Sequence, residues 1–460
     1  MQKLSKESRT NHKEKISLGE KLAYGCGDAA SNVVWSSVAA FMVYFFTDIA
    51  GLAAGIAGII LLSARILDGF VDILVGILVD RTKTRFGKAR PWILWMALPY
   101  GILTVLLFSV PNFGMAGKIT YYAITYTLIN IVFSFINIPY GTLNAMITQD
   151  QYQRSVLNFF RMGFAITMGI IVSVGTTGFV AALGNGASAW QKIFITYSIL
   201  AVVLFMITFL FTKERVKTQH GNDSKESIPV VKQVASLFKN KYLLIITFVM
   251  LLVYIDNGLL GCAIYYAKYI LGSEKINGIL QLANLLPVVL VILGLSPLVK
   301  KFGKRNCTLA GTILMLVGNL IISFGTTDLK VVVIGALIRG IGIAPLIACG
   351  FSMIYDTIEY NDYKTGIRCE GLIASAAGLA SKVGTGLGAA LIGWMLSAGG
   401  YVADKAVQTA GSIFAIKFGF VYLHAILAIG IFILLCFYNL DKIYSTVVKE
   451  LGERNQNSAE

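Results

Sequence analysis

Residues 63–94, SARILDGFVDILVGILVDRTKTRFGKARPWIL, contain the pattern from which the architecture of this chain follows. An apolar run that includes Arg65, Asp68 and Asp72 ends at a basic loop, DRTKTRFGKAR, and a second apolar run begins directly after the loop. A bilayer span needs about 20 mostly apolar residues, and lysine and arginine accumulate in loops on the cytoplasmic side of a membrane. The segment therefore predicts two antiparallel transmembrane helices joined by a cytoplasmic loop.

The composition of the chain extends this prediction to nearly its whole length. Of 460 residues, 56% are hydrophobic and only 14% are charged, and the mean hydropathy is +0.72. A soluble domain carries about 25% charged residues. We therefore expect most of the surface of this protein to face a lipid bilayer instead of water.

Twelve apolar segments are long enough to cross a bilayer. They lie near residues 21–47, 54–79, 91–111, 118–148, 155–184, 190–212, 242–271, 276–299, 307–326, 331–356, 370–399 and 411–438. The polar stretch TKERVKTQHGNDSKES, residues 212–227, separates the first six segments from the last six. The predicted organisation is a cytoplasmic tail over 1–20, a six-helix bundle over 21–212, a linker with an amphipathic surface helix over 213–241, a second bundle over 242–438 and a cytoplasmic tail over 439–460.

The positive charge of the chain predicts its orientation. The formal net charge is +15, and the loops on one predicted side hold 28 lysines and arginines, compared with six on the other side. This asymmetry places both termini in the cytoplasm. It also indicates attraction to an anionic inner leaflet, so we expect a lipid bilayer as partner and no nucleic acid.

The two predicted bundles share a weak internal repeat. LVDRTKTRFGKARPW, residues 78–92, follows the second span, and LVKKFGKRN, residues 298–306, follows the eighth. Parallel six-helix repeats are typical of major facilitator transporters, although coincidence between two basic loops is the alternative. The sequence thus predicts an all-α integral membrane protein with twelve transmembrane helices in two six-helix bundles, the major facilitator fold.

Ionisable residues inside the apolar segments indicate where function resides. A charge at the centre of a bilayer costs about 2.5–3.5 kcal/mol on insertion scales, so such residues are rare. One layer, about 12–18 Å from the cytoplasmic helix ends at about 1.5 Å per residue, contains Asp28, Asp68, Asp72, Asn137, Arg161 and Lys382. Carriers built from repeats bind their cargo near this midplane. The sequence assigns no role to Asp256, Lys268 or Arg339.

Asp68 and Asp72 are four residues apart and share one face of the second helix. Two carboxylates this close repel each other unless a cation or a proton lies between them. The pair is therefore a candidate site for a coupling ion, either Na⁺ or H⁺, and Lys382 would compete with that ion if it faces the same cavity. The alternative is a structural ion pair between Asp68 and Arg65, one turn earlier.

Polar and aromatic side chains expected around this layer are candidates for binding a polar cargo such as a sugar. Amides and carboxylates bind sugar hydroxyl groups, and an aromatic ring packs under the sugar face. These side chains include Asn32, Trp35, Tyr44, Asn137, Tyr140 and Tyr265. For any single tyrosine, packing or a place in the interfacial aromatic belt is the alternative role.

The motif YGCGDAASN, residues 24–32, together with residues 63–94, resembles the glycoside–pentoside–hexuronide cation symporters. Further matches are INIPYGTL (136–143), NFFRMGF (158–164), AIYYAKYILG (263–272) and YDTIEYNDYKTGIRCEGLIASAAGLASKVG (355–384). The resemblance covers nearly the whole chain. It implies a secondary transporter that moves a sugar or glycoside together with Na⁺ or H⁺ by alternating access. We expect it to act as a monomer in a bacterial inner membrane.

The resemblance and the polar layer together predict two sets of site residues. The predicted substrate-binding residues are Asp28, Asn32, Asn137, Tyr140 and Arg161. The predicted cation-binding residues are Asp68, Asp72, Ser134 and Lys382, of which Asp68 and Asp72 would be the metal ligands if the ion is Na⁺.

One departure from the family pattern bears on the cargo. Melibiose-type members have an Asp and a Trp in the fourth helix, where this chain has Asn137 and Gly141. The loss of this carboxylate and this ring disfavours a galactoside. A pentoside, a β-glycoside or a hexuronide is the expected cargo.

Other classes of function compete with a symporter. A lipid or drug carrier on the same fold predicts a wider apolar cavity and no dependence on Asp28. A sugar sensor that transports nothing needs an output module, for which the 22 residues after Tyr438 are too few. The sequence contains no HExxH, GxSxG or P-loop motif, so we expect neither an enzyme nor a cofactor.

Overall fold

A computed structural model of the chain describes residues 16–82, 84–216, 230–403, 405 and 407–457. These residues form helices joined by short loops, and the β-structure among them is one isolated bridge between Thr84 and Gly87. The predictions made for the tail up to residue 15 and for linker residues 217–229 lie outside the described part of the chain.

The N-terminal half contains six helices of membrane length. They are α1 (Leu18–Tyr44, continued by a π-helical turn over Phe45–Ile49), α2 (Ala54–Arg81), α3 (Arg90–Leu107), α4 (Met115–Ile147), α5 (Gln151–Ala182) and α6 (Gly186–Phe211). Two faces of the molecule are named from these helices. The terminal face is the side where α2 ends at Arg81 and α3 begins at Arg90, and the opposite face is the side where α2 begins at Ala54.

The C-terminal half begins with a short helix and ends with a polar one. Its helices are α7 (Val230–Lys239), α8 (Lys241–Gly258), α9 (Cys262–Tyr269), α10 (Ile276–Phe302), α11 (Lys304–Phe324), α12 (Leu329–Thr365), α13 (Glu370–Ala398), α14 (Ala410–Lys417), α15 (Leu423–Phe437) and α16 (Leu440–Asn457). A 3₁₀ turn over Leu259–Gly261 joins α8 to α9, and a π-helical turn over Phe418–Tyr422 joins α14 to α15. Each of these joined pairs crosses the molecule as one span.

The predicted fold class is confirmed. Among the described residues, eleven helical segments are long and apolar enough to cross a bilayer. Helix α2, the second span in chain order, brings the number to twelve. Its 28 residues are enough to cross a bilayer, but it is less apolar than the others because it carries Arg65, Asp68 and Asp72. An even number of spans leaves the beginning of α1 and the end of α15 on the same face of the molecule.

The tenth span, α12, extends nine residues past its predicted end at residue 356. The prediction followed the apolar residues, and a helix can continue into polar sequence after the apolar residues end. Helix α12 runs on through the polar sequence up to Thr365. It stops at Gly366, whose φ of +70° is left-handed and whose N–H donates to the Asp362 carbonyl at 2.8 Å. The polar turns pack beside α16, where Arg454 pairs with Asp362.

The two halves pack closely near the opposite face. Helix α2 lies along α13, and α5 lies along α10. A Cβ atom at Gly58 of α2 would lie only 2.8 Å from the Ala390 carbonyl oxygen of α13. The absence of a side chain at Gly58 therefore allows the two helix backbones to approach.

Candidate substrate and cation site

A cavity of about 520 Å³ lies between the two halves. Its walls come from α1, α2, α4 and α5 on one side and from α8, α10, α12 and α13 on the other. Its polar lining consists of Asn32, Trp35, Ser36, Arg65, Asp68, Asn137, Ser173, Tyr254, Asn257, Gln281, Ser381, Lys382 and Thr385. The cavity has the size expected of a small-molecule site and combines an apolar wall with a few polar groups.

The predicted cation-binding residues form one cluster, of which Asp68 and Lys382 line this cavity. Lys382 Nζ of α13 lies 2.8 Å from Asp68 Oδ2 and 2.5 Å from Asp72 Oδ2. The Ser134 hydroxyl donates to Asp68 Oδ1 at 2.6 Å. Asp72 Oδ1 is buried and has no hydrogen-bond partner among the described residues. Two carboxylates and one ammonium leave one negative charge, so the cluster can accept one further monovalent cation.

The donors present fit a hard cation. Carboxylate and hydroxyl oxygens are the ligands that such ions prefer, and Asp68, Asp72 and Ser134 supply both kinds. The unpartnered Asp72 Oδ1 offers a lone pair to an incoming ion or proton. Within the described chain no group of three or more His, Cys, Asp or Glu residues has the geometry of a metal site. The oxygen donors gathered here are the two carboxylates and the hydroxyl of Ser134.

Arg65 does not make the structural ion pair considered as an alternative for Asp68. Its guanidinium carbon lies 4.0 Å from the centre of the Trp35 ring, and among the described residues Arg65 forms no ion pair with either aspartate. Trp35 also stacks on Phe133, with ring centroids 4.4 Å apart and planes 6° apart. Both faces of Trp35 are therefore covered, and only its edge is open to a ligand.

The predicted substrate-binding residues divide into two groups. Asn32 and Asn137 line the central cavity. Asp28, Tyr140 and Arg161 form a cluster beside it, in which Arg161 Nε lies 2.9 Å from Asp28 Oδ2. The Arg161 guanidinium covers the Tyr140 ring at 5.0 Å.

Tyr140 is held within the N-terminal half. Its side chain is fully buried, and its hydroxyl donates to the Tyr24 carbonyl at 2.5 Å. The ring stacks on Tyr24 with centroids 4.9 Å apart. Tyr140 thus positions Arg161 and α1 and does not itself reach the cavity lining.

A second polar cluster, the opposite-face network, ties the two halves together near the opposite face. Its members are Tyr44, Thr47 and Asp48 of the first span and Tyr265, Lys268, Tyr269, Glu274 and Tyr401 of the C-terminal half. Lys268 Nζ lies 3.0 Å from Asp48 Oδ1 and 3.1 Å from Glu274 Oε1. The Tyr401 hydroxyl donates to Asp48 at 2.7 Å.

This network gives Lys268, to which the sequence assigned no role, a set of partners. It also shows that Tyr44 and Tyr265, which were expected around the cargo layer, lie instead at the opposite face. Their hydroxyls bond to Glu274 at 2.7 Å and to Thr47 at 2.6 Å.

At the terminal face, the two basic loops bond within their own halves. The backbone N–H groups of Lys88, Ala89 and Arg90 donate to Glu214 at 2.8–2.9 Å. Arg305 donates to the carbonyls of Leu435 and Cys436 at 2.9 and 2.7 Å. The bonds that join the halves thus concentrate at the opposite face and at Lys382.

Apart from Lys382, sequence reasoning missed the contribution of the C-terminal half to the cavity. Asn257, Gln281, Ser381 and Thr385 all line it. Gln281 is a polar residue within the apolar run INGILQLANLL, residues 276–286, which is the signal that could have identified it. Asn257 directly follows Asp256, and the sequence analysis singled out only the charged residue of the two.

The cavity geometry alone does not decide what class of protein this is, but the sequence match does. Residues 23–442 match the family described as MFS/sugar transport protein. The chain belongs to this family. Membership of the MFS/sugar transport proteins confirms both the major facilitator fold and the resemblance to the glycoside–pentoside–hexuronide symporters, and it identifies a transporter, not an enzyme.

Similar proteins include several carriers. The isoprimeverose transporter of Lactiplantibacillus pentosus is 33% identical over 96% of this chain and 93% of its own length. The putative glycoside/cation symporter YagG of Escherichia coli is 30% identical over 92% of both chains. The glucuronide carrier protein homolog of Escherichia coli is 29% identical over 95% of both chains.

Solved structures show the same fold at low identity. A variant of the nucleoside transporter NupG aligns with a TM-score of 0.64 at 16% identity, covering 90% of this chain and 99% of the other. A bacterial homologue of the human drug peptide transporters aligns with a TM-score of 0.64 at 12% identity, covering 95% and 99%. These likenesses concern the fold alone.

Proposed function

We propose that this MFS/sugar transport protein carries a sugar or glycoside across the membrane together with Na⁺ or H⁺, by alternating access between its two halves. The observation that carries the proposal is that Asp68 and Lys382, which form a cluster with Asp72 and Ser134, line the same cavity as Asn32 and Asn137. One site for a cation and one for a polar cargo thus share a single compartment.

The cation step follows from the charge of this cluster. Lys382 lies between the two carboxylates and leaves one negative charge unbalanced. A bound Na⁺ or proton neutralises that charge and loosens the hold of Lys382 on α2. Because Lys382 belongs to the C-terminal half and Asp68 and Asp72 to the N-terminal half, ion binding changes a contact between the two halves. An inward-negative membrane potential assists, since one charge moving through 100 mV gains about 2.3 kcal/mol.

The sugar step uses the amide groups of Asn32 and Asn137. Amides donate to and accept from hydroxyl groups, and both side chains line the cavity. Trp35 cannot stack under a sugar ring, because Phe133 and Arg65 cover its faces. Together with Asn137 and Gly141 in the fourth helix, this supports a pentoside, a β-glycoside or a hexuronide as cargo over a galactoside. The names of the similar carriers agree with this class of cargo.

The proposal also includes the orientation of the molecule in the membrane, the conformation of the carrier and its oligomeric state. The excess of lysine and arginine at the terminal face supports placing that face and both termini on the cytoplasmic side of a bacterial inner membrane. Because the halves are bonded at the opposite face, the structure corresponds to an inward-open carrier, and a monomer contains the whole transport path.

Uptake into right-side-out vesicles tests the proposal. The labelled cargoes are a xyloside, a β-glucoside, a glucuronide and a galactoside, each with and without a Na⁺ gradient and a pH gradient. We expect one cargo other than the galactoside to accumulate and to follow one gradient. Failure of every sugar to accumulate, from protein shown to be folded, would contradict the proposal.

A second candidate function rests on the apolar wall of the cavity. Leu285, Val288, Val289 and Ile292 of α10, with Ile347 of α12, line one side. Such a wall also fits an amphipathic cargo, as in a lipid or drug carrier on the same fold. Binding of a lipophilic cation with unchanged affinity in Asp28→Ala would favour this alternative.

A further inference from the structure

A third group of ionisable side chains is buried in the C-terminal half, away from the cation cluster. Asp256 of α8, Arg339 of α12 and His424 of α15 are only 4%, 4% and 2% exposed. His424 Nδ1 lies 2.5 Å from Asp256 Oδ1. Neither the resemblance nor the proposed transport cycle uses these residues.

Arg339 is held beside this pair by neutral acceptors. Its guanidinium donates to the Phe420 carbonyl at 3.0 Å and to Asn284 Oδ1 at 3.4 Å. Phe420 belongs to the π-helical turn before α15, so the position of Arg339 depends on how α12 packs against that turn. Arg339⁺ and Asp256⁻ balance each other when His424 is neutral.

A small cavity lies beside this group and shares two lining residues with the cargo site. Its volume is about 10 Å³, which is close to the space of one water molecule. It is lined by Arg339, His424, Asn284, Gln281 and Leu260, among others. Gln281 and Leu260 also line the central cavity. Because Nδ1 of His424 is bonded to Asp256, Nε2 is the ring nitrogen that can accept a proton from such a water.

We propose that the Asp256–His424 pair is a proton-binding site of the C-terminal half. The proton binds at His424 Nε2, and the imidazolium that forms is stabilised by Asp256 through Nδ1. Arg339 opposes protonation because it adds a second positive charge to the same buried region. Besides Asp256, the titratable groups in the described part of the chain that interact electrostatically with Arg339 are Cys262 and Tyr266, and the ordinary pKa values of a thiol and a phenol leave both neutral at physiological pH.

The consequence is a link between helix packing and proton affinity. If α12 moves relative to the turn at Phe418–Tyr422, the distance of Arg339 from the pair changes, and the affinity for the proton changes with it. The site is separate from Asp68 and Asp72, so it exists whichever ion those residues bind.

Nuclear magnetic resonance on a single-histidine protein tests the proposal directly. The chain has three histidines, so His12→Asn and His220→Asn leave His424 as the only ¹⁵N-histidine signal in the full-length protein in nanodiscs. The signal is followed between about pH 5 and pH 8, where an unperturbed imidazole changes charge. We expect conversion between the neutral and cationic forms within this range. A single protonation state throughout would overturn the proposal.

Two variants distinguish a proton site from a structural hydrogen bond. Asp256→Asn removes the stabilising carboxylate and is expected to lower the titration midpoint by about one pH unit, a tenfold loss of proton affinity. Where that variant does not fold, Arg339→Gln gives the same test with the midpoint rising. A midpoint unmoved in a folded variant would also overturn the proposal. Because no substrate is needed, failure here is independent of whether the protein transports a sugar.

Discussion

The charged side chains inside the membrane-spanning helices are mostly paired across helices distant in sequence. Lys382 binds Asp68 and Asp72, and Arg161 binds Asp28. Breaking a buried pair leaves an uncompensated charge, which is far more costly than removing both partners. The effect of each substitution therefore depends on which partner it leaves behind.

Asp72→Asn tests the coupling role of the cation cluster. In this variant Lys382 and Asp68 neutralise each other, and no negative charge remains for Na⁺ or H⁺. We expect accumulation of the cargo against its gradient to be lost, while exchange of labelled for unlabelled cargo across the membrane continues. Both are measured by uptake and counterflow in vesicles.

The matched control for this variant is Asp150→Asn. Asp150 caps α5 at the terminal face by accepting from Tyr152 N at 2.8 Å, and asparagine caps a helix about as well as aspartate. This variant should accumulate the cargo normally. Uphill accumulation by Asp72→Asn itself would show that the coupling ion binds elsewhere.

The Asp28–Arg161 pair is expected to show strong non-additivity. Arg161→Gln leaves a mostly buried carboxylate unpaired and should lower the free energy of unfolding by about 3 kcal/mol. Asp28→Asn with Arg161→Gln should lose much less, because no lone charge remains. Thermal unfolding in detergent is measured for Asp28→Asn, for Arg161→Gln and for the double variant. Single-variant losses that simply add would mean that the 2.9 Å contact contributes no coupling energy.

At the scale of elements, the end of the first span closes the opposite face. The π-helical turn over Phe45–Ile49 lies between α1 and the loop to α2, and it carries Thr47 and Asp48 into the opposite-face network. Asp48 accepts from Tyr401, Tyr269 and Lys268, all in the C-terminal half. π-Helical turns occur often at functional sites, and here the turn presents one carboxylate to three donors.

Lys268→Met is expected to favour the state that is open at the opposite face. It removes the ion pair with Asp48, which joins the two halves and exists only when they are closed there, and the pair with Glu274 within the C-terminal half. A loss of about 1.4 kcal/mol would shift the populations tenfold. The readout is the rate at which a membrane-impermeant thiol reagent, added outside, labels Ser36→Cys in a protein whose six native cysteines are replaced.

Lys275→Met is the control for this experiment. Another cavity, of about 480 Å³, lies beside the opposite-face network, and both Lys275 and Lys268 line it. Within the described chain Lys275 makes none of the network bonds. Its labelling rate should match that of the parent protein. An unchanged rate in Lys268→Met would mean that the network does not hold the gate closed.

At the scale of the whole molecule, the halves meet around one cavity and separate at the terminal face. Close packing of α2 on α13 at Gly58 and the opposite-face network lie on one side of the cavity. The loops at Lys88 and Arg305 make the bonds described above within their own halves on the other side. Rocking about the central layer would exchange these two arrangements, which is the motion expected of a repeat-built carrier.

Reporter fusions test the orientation of the whole molecule. Alkaline phosphatase, which is active only outside the cytoplasm, should be active when fused after Asn112 and inactive when fused after Ser224. Green fluorescent protein should show the reverse pattern. Activity of the phosphatase after Ser224 would reverse the assignment of the terminal face to the cytoplasm.

The sequence by itself determined that the chain lies in a membrane and how many times it crosses, and it predicted the depth of the functional layer. Apolar length sets how often the chain crosses a bilayer, and the spacing of Asp68 and Asp72 places both on one helical face. The depth of Lys382 placed it in the same layer, the resemblance added Ser134, and the structure brings all four side chains together.

Only the tertiary structure decided which polar groups meet. It placed Asn32 in the cavity and paired Asp28 with Arg161 beside it, it gave Lys268 a partner in Asp48, and it joined His424 to Asp256. Hydropathy and periodicity report how deep a residue lies and which side of its own helix it occupies. Which neighbouring helix that side meets depends on the packing of all twelve spans, because contacts between distant helices leave no periodic trace in either segment.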